Sequence, residues 1–141
     1  TSVISAVSPR GRLWFRCYGA TLTARGYVAF LKALLRDIRT PIDLIADRHP
    51  AHVSAQVQRF AQENRRRLRI HYLPRYAPDL NPDEHVWSYL KGMFRRDPVH
   101  LNEDFADAVR ESMASIQQDR RLVRSFFDHP DVRYVKAALR W

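Results

Sequence analysis

Three prolines, Pro74, Pro78 and Pro82, exclude residues 74–82 from regular secondary structure, because each fixes φ and removes a backbone donor. The fold must therefore be built around a stiff irregular passage. On its amino-terminal side Leu68-Arg69-Ile70-His71-Tyr72-Leu73 alternates apolar and polar residues as a strand does. On its carboxyl side Val86, Trp87, Leu90, Met93 and Phe94 recur at the spacing of an amphipathic helix.

The remaining periodicities extend this order in both directions. Thr1 to Val7 and Leu13 to Tyr18 are β-branched and aromatic runs around Ser8-Pro9-Arg10-Gly11, the composition of a hairpin. Tyr27, Val28, Leu31, Leu34, Leu35 and Ile38 form a helical stripe between Thr23 and Ile38. Ile42 to Ala46 reads as a strand ending at Asp47, and Val53, Val57, Phe60 and Ala61 as a helix. Phe105 to Ile116 predicts a further helix, with Asn102 as its cap, and the tail 119–141 is helical in pattern with a break at His129-Pro130. The order β-β-α-β-α-β-α-α predicts a three-layer α/β domain with a mixed sheet flanked by helices, one domain over residues 1–141.

Charge narrows the partners. With 24 Lys+Arg against 15 Asp+Glu the chain carries a formal +9, a field that attracts polyanions, and nucleic acid is the expected partner. Lysine occurs only at positions 32, 91 and 136, so the cations are mostly arginine, suited to bidentate phosphate contacts, although a GC-rich genome gives the same bias. No run of about 18 apolar residues is present and Thr1 to Arg16 has no signal-peptide core, so neither membrane spanning nor conventional secretion is expected. A lone Cys17 forms no internal disulfide, which points to an intracellular protein.

Two carboxylates stand where metal ligands belong. Asp47 closes a strand whose carboxyl end should face the crevice of an open α/β sheet, and Glu84 opens the helix that follows the next strand at the same edge. Each has a plainer alternative. Asp47 can be a turn or capping residue for the helix that follows, and Asn81-Pro82-Asp83-Glu84 can be a helix start with Asn81 as N-cap and Glu84 as its capping-box partner. Asp43 and Asp83 are neighbouring carboxylates expected to point elsewhere. His52 and His85 are candidates for supporting roles beside the carboxylates. Arg65, Arg66 and Arg67 either contact a DNA backbone or form a solvated loop, and Trp14, Trp87 and Trp141 read as packing residues.

The string from Leu73 to Lys91, Leu-Pro-Arg-Tyr-Ala-Pro-Asp-Leu-Asn-Pro-Asp-Glu-His-Val-Trp-Ser-Tyr-Leu-Lys, preceded by Asp47-Arg48-His49-Pro50-Ala51-His52, resembles the mariner-type DDE transposases, in particular their bacterial insertion-sequence members. In that family one strand ends in Asp-Asn-x-x-x-His and a later one runs into Leu-Pro-x-Tyr-Ser-Pro-x-Leu-Asn-Pro-x-Glu-x-x-Trp. Asp47 then matches the second catalytic carboxylate and Glu84 the third, with 36 residues between them, and His52 matches the family histidine. The resemblance covers about residues 1–117. Arg48 stands where asparagine is usual and Ala77 where serine is usual.

The resemblance implies a ribonuclease H-like fold that transfers phosphoryl groups on DNA with two divalent ions, Mg2+ or Mn2+, held by three carboxylates. It also implies contacts from Arg48, Arg75, Tyr76 and Lys91 to transposon ends and target DNA, and a cytoplasmic, nucleoid-associated bacterial protein. The family's first aspartate lies on a central strand preceding the hairpin, and no Asp or Glu precedes Asp37. The expectation is a catalytic core lacking its first strand, incomplete alone, with an open sheet edge that favours a homodimer. The alternative is a non-catalytic DNA-binding or assembly module derived from a transposase.

Overall fold

In the computed structural model, which describes residues 2–96 and 105–138, the chain begins with an antiparallel hairpin. Its strands are β1 (Ser2–Val7) and β2 (Leu13–Tyr18), paired from Ser2 opposite Tyr18 to Val7 opposite Leu13. Period-two alternation divides the hairpin's apolar side chains between two cores. Ile4, Ala6, Trp14 and Tyr18 join the first, and Val3, Val7, Leu13, Phe15 and Cys17 join the second.

The first core is built by α1 (Ala24–Asp37), capped by the Thr23 side chain accepting from the Gly26 amide, and by α2 (Ala55–Glu63), capped by Ser54. Tyr27, Phe30, Leu31 and Leu34 of α1 meet Val57 of α2 and Leu68 of the neighbouring strand. Between and after these helices run β3 (Ile42–Ala46) and β4 (Leu68–Tyr72), parallel with Ala46 opposite Tyr72 and joined by the α2 crossover, as parallel pairing requires.

The second core lies on the other face of the hairpin. It gathers Val86 and Leu90 of α3 (Asp83–Arg96), Val109, Met113 and Ile116 of α4 (Phe105–Gln118), Val123 of α5 (Arg120–Ser125), and Phe126 and Phe127 of the 3-10 turn that follows. A second 3-10 turn, Pro130–Val132, leads into α6 (Arg133–Ala138). The hairpin thus has a helical core on each of its faces. The tail belongs to this packing, with Phe127, Val123 and Val132 fully buried.

The strands form two two-stranded sheets, β1-β2 and β3-β4. Among the described residues no ladder joins the hairpin to β3, so the single mixed sheet expected from the element order is not formed. The expected Asn102 cap, Leu139 and Trp141 lie outside the described residues.

Candidate functional site

The end of β3 and the start of α3 meet across one cleft. Asp47, Arg48, Arg75, Tyr76, Asn81 and Glu84 are among the residues that line this space of about 450 Å³. Parallel pairing brings this about. The β4 chain continues past Tyr72, with the Leu73 amide donating to the Ala46 carbonyl at 2.9 Å, so the proline loop departs beside Asp47. The loop then closes through a 3-10 turn, Pro78–Leu80, which delivers the chain to α3.

Asp47 is both a turn residue and a wall of the cleft. Its Oδ1 accepts from the His49 amide at 2.9 Å, and His52 Nδ1 stands 2.8 Å from the same oxygen. That ring nitrogen is buried, and the Asp47 oxygen is the polar group it faces. The His52 side chain, helped by the His49 amide, holds the Asp47 pKa below the ordinary carboxylate value against the opposing effect of burial. The capping alternative for Asp47 fails, since Ser54 caps α2.

His52 is fixed from two sides. Its ring stacks on Tyr27 with centroids 4.2 Å apart, and its carbonyl accepts from the Tyr72 hydroxyl at 2.6 Å. It supports Asp47 and is not among the residues that line the cleft, so its place is behind the carboxylate and not in the cleft itself. Tyr27 and Tyr72 were not singled out by their sequence. Tyr72 was accessible through register, because it pairs with Ala46, one residue before Asp47.

The capping reading of Glu84 divides. Asn81 does cap α3, its Oδ1 accepting from the Asp83 amide at 3.1 Å, but its own amide donates to the Pro78 carbonyl at 3.0 Å. That amide is the group a capping-box glutamate would satisfy, so the Glu84 carboxylate is not needed there. Asp83 points elsewhere, as expected of it, and does more than expected. Its carboxyl is enclosed between α3 and the hairpin, where it accepts from Ser5 Oγ at 2.7 Å, and burial pushes its pKa up to about 7, with Glu84 and Asp47 adding to the rise. Asp43 pairs with His71 Nε2 at 2.9 Å on the exposed face of β3-β4.

His85 neither faces solvent nor the cleft. Its ring lies 4.6 Å from that of His129, placing the tail against α3, and burial followed by the His129 charge lowers its pKa. The arginines separate as well. Arg48 donates from Nε to the Leu73 carbonyl at 3.0 Å, tying the two strand ends together at the cleft. Arg67 is half-buried and donates to the Leu35 and Ile38 carbonyls, so it satisfies the carboxyl end of α1 as a structural residue. Arg65 and Arg66 are exposed in the loop before β4, and Lys91 is exposed two turns beyond Glu84. Tyr76 is the one non-glycine residue with positive φ among those described, at 59°, and its side chain is 98% exposed. That conformation costs on the order of 1–3 kcal/mol and turns an aromatic ring into solvent at the rim of the cleft.

The chemistry open to the cleft follows from its donors. Two carboxylates offer hard oxygens of the kind Mg2+ and Mn2+ take, and Mg2+ commonly binds one or two carboxylates while keeping water and phosphate ligands, so Asp47 and Glu84 are the residues of this cleft that could supply such ligands. Among the described residues no group of three or more His, Cys, Asp or Glu is placed to hold an ion. No helix among them is long and apolar enough to cross a membrane.

Comparison with known proteins places the fold. The family model described as DDE superfamily endonuclease matches residues 1–120. Among solved structures, the Mos1 transposase paired-end complex with left transposon end has a TM-score of 0.52 at 15% identity, over 87% of this chain and 42% of that one. The Mos1 mariner paired end complex with Mn has a TM-score of 0.51 at 17% identity, over 90% of this chain and 44% of that one. The chain thus shares their fold and spans less than half the length of either. No curated protein matches it.

Proposed function

The chain belongs to the DDE superfamily endonucleases, and on that premise we propose that it is a mariner-type transposase core whose Asp47 and Glu84 are two of the three metal-binding carboxylates used to cut and join DNA. The observation that carries this reading is the shared cleft, which Asp47 and Glu84 line together with Arg75 and the exposed Tyr76. When bound, Mg2+ or Mn2+ would polarise the phosphodiester and activate the attacking oxygen. His52 orients Asp47 and keeps it ionised, Arg48 braces the strand ends, and Arg75 and Tyr76 receive the DNA, the former by its phosphate and the latter by stacking. Arg65, Arg66 and Lys91 extend the basic surface along the backbone.

In a ribonuclease H-like arrangement a central strand bearing the first aspartate would lie between β1 and β3, the two strands that do not pair here. Residues 1–141 hold two of the three carboxylates this reading calls for, and on their own they are proposed to cleave DNA little or not at all. Its open strand edges favour a homodimer, with transposon ends and target DNA as ligands and the bacterial nucleoid as its place of action.

Binding of this chain to duplex DNA is expected to be largely independent of sequence and to weaken steeply with salt, read by fluorescence anisotropy. Tyr76→Ala should weaken binding to a duplex with a single-stranded end by about tenfold, the lower part of the range for loss of one stacking contact. Tight binding to one sequence with a flat salt dependence would contradict the reading, and vigorous Mg2+-dependent cleavage by the chain alone would contradict its incompleteness. Binding without any metal dependence would favour the assembly-module alternative.

A further inference from the structure

The hairpin turn and α5 are far apart in sequence and locked together in space. Gly11 adopts φ +94°, and a Cβ placed there would lie 2.6 Å from the Arg120 carbonyl oxygen and 2.9 Å from Arg124 Cγ, so only glycine permits this approach. Gln117 Nε2 donates to the Leu13 carbonyl at 2.7 Å and closes the same junction. The effect is to bring Arg10 and Arg12 of the turn beside Arg120, Arg121 and Arg124 of α5, all five exposed.

Among the described residues these cations have no internal hydrogen-bond or ion-pair partner. Arginine side-chain hydrogen bonds and ion pairs among the described residues belong to Arg48, Arg65, Arg67, Arg110 and Arg133. The Arg12 guanidinium lies over the Trp14 ring, 4.7 Å from its centroid, which orders the side chain without using its N–H groups. Between turn and helix runs a groove of about 310 Å³ lined by Arg12, Trp14, Gln117 and Arg120, with Asp37 at its wall. The other nearby carboxylate, Asp119, is occupied in capping α5, accepting from the Leu122 amide at 3.0 Å. Five arginines against two carboxylates leave a net positive surface that shares no residue with the Asp47–Glu84 cleft.

We propose that this junction of hairpin turn and α5 is a second, separate contact surface for the phosphodiester backbone of duplex DNA. The assignment rests on the reading of the chain as a DNA-binding protein and adds to it where a second stretch of duplex lies. An arginine fork ordered by packing, as Arg12 is on Trp14, suits phosphate oxygens, and none of the exposed large hydrophobics among the described residues belongs to the turn or to α5.

The test is the salt dependence of duplex binding by the full chain, with a duplex of arbitrary sequence. Each phosphate contact contributes about 0.9 to the log–log salt slope, so replacing Arg120, Arg121 and Arg124 together by glutamine is expected to reduce the slope by about 2 to 3. Arg10→Gln with Arg12→Gln should reduce it by about 2, and serves also if the α5 variant proves unstable in a thermal melt. The triple lysine variant should keep the slope, because charge is retained. Unchanged slope and affinity in both glutamine variants, with Arg75→Gln still weakening binding, would overturn this surface and leave the cleft reading standing. Absence of salt-dependent duplex binding by the unaltered chain would overturn both.

Discussion

Phe127→Ala is expected to lower the stability of the whole chain by about 3–5 kcal/mol, enough to move its melting temperature by roughly 10–20 °C. Phe127 has no exposed surface, and it packs in the second core with Met113, Val123 and Ile116, each 0–1% exposed. Deleting the ring leaves a cavity beside Met113 and Ile116 of α4 and Val123 of α5, in the core that also holds Leu13 of the hairpin. Since total domain stabilities are of order 5–15 kcal/mol, the change removes a large fraction of what holds the fold. It should appear as one shifted transition in far-UV circular dichroism and tryptophan fluorescence alike. A loss below about 1 kcal/mol, or separate transitions for the two probes, would mean that the tail folds apart from the rest.

Asp83→Asn should stabilise the chain at pH 8 by up to about 4 kcal/mol in metal-free buffer, and flatten its dependence on pH. The folded-state pKa is raised, to about 7 against an ordinary 3.8. Below the unfolded value both states hold the proton and the native state carries no penalty. As pH rises from about 4 toward 7 the unfolded chain ionises first, so stability falls, and the loss is complete once the folded carboxyl ionises as well. About three pKa units at 1.36 kcal/mol each give the magnitude. Asparagine keeps the acceptor that Ser5 Oγ uses and removes the charge. Chemical denaturation at pH 5 and pH 8 checks this. The expected result is a wild-type chain less stable at pH 8 and a variant nearly equal at both, and parallel curves for the two proteins would contradict it.

The positions of the elements were legible because each rests on local periodicity. The α1 stripe from Tyr27 to Leu34 and the alternation of Leu68 to Tyr72 stand in the structure within a residue or two of where the pattern puts them. The proline loop was legible in part, since three fixed φ angles exclude strand and α-helix there, but Pro78–Leu80 closes into a short 3-10 helix that tolerates a proline at its start. What was not legible depends on contacts between segments remote in sequence. Asp83 is enclosed only because the hairpin docks on α3, with Ser5 78 residues away. Arg67 reads as one of a basic cluster, yet it lies against the end of α1, about thirty residues earlier, where one of its terminal nitrogens donates to the Leu35 and Ile38 carbonyls. His85 meets His129 across the tail, which the helical pattern of α3 alone does not reveal. The separation of the strands into two sheets is likewise a property of pairing, on which single-strand patterns are silent.

The candidate site follows the same division. Asp47 and Glu84 could be placed at one edge of the sheet by parallel topology, since a strand end and the helix after the next strand share that edge. The left-handed backbone of Tyr76 carried no sequence signal, because nothing in Arg75-Tyr76-Ala77 calls for positive φ.

The central claim, that Asp47 and Glu84 form a working half of a metal site, is tested most directly by a crystal structure of the chain soaked with Mn2+ and read by anomalous scattering. The account predicts an anomalous peak in the cleft bound by both carboxylates, which then lie roughly 4 to 7 Å apart, and its loss in Asp47→Asn. Carboxylates more than about 10 Å apart, or Mn2+ bound elsewhere with the cleft empty, would contradict it.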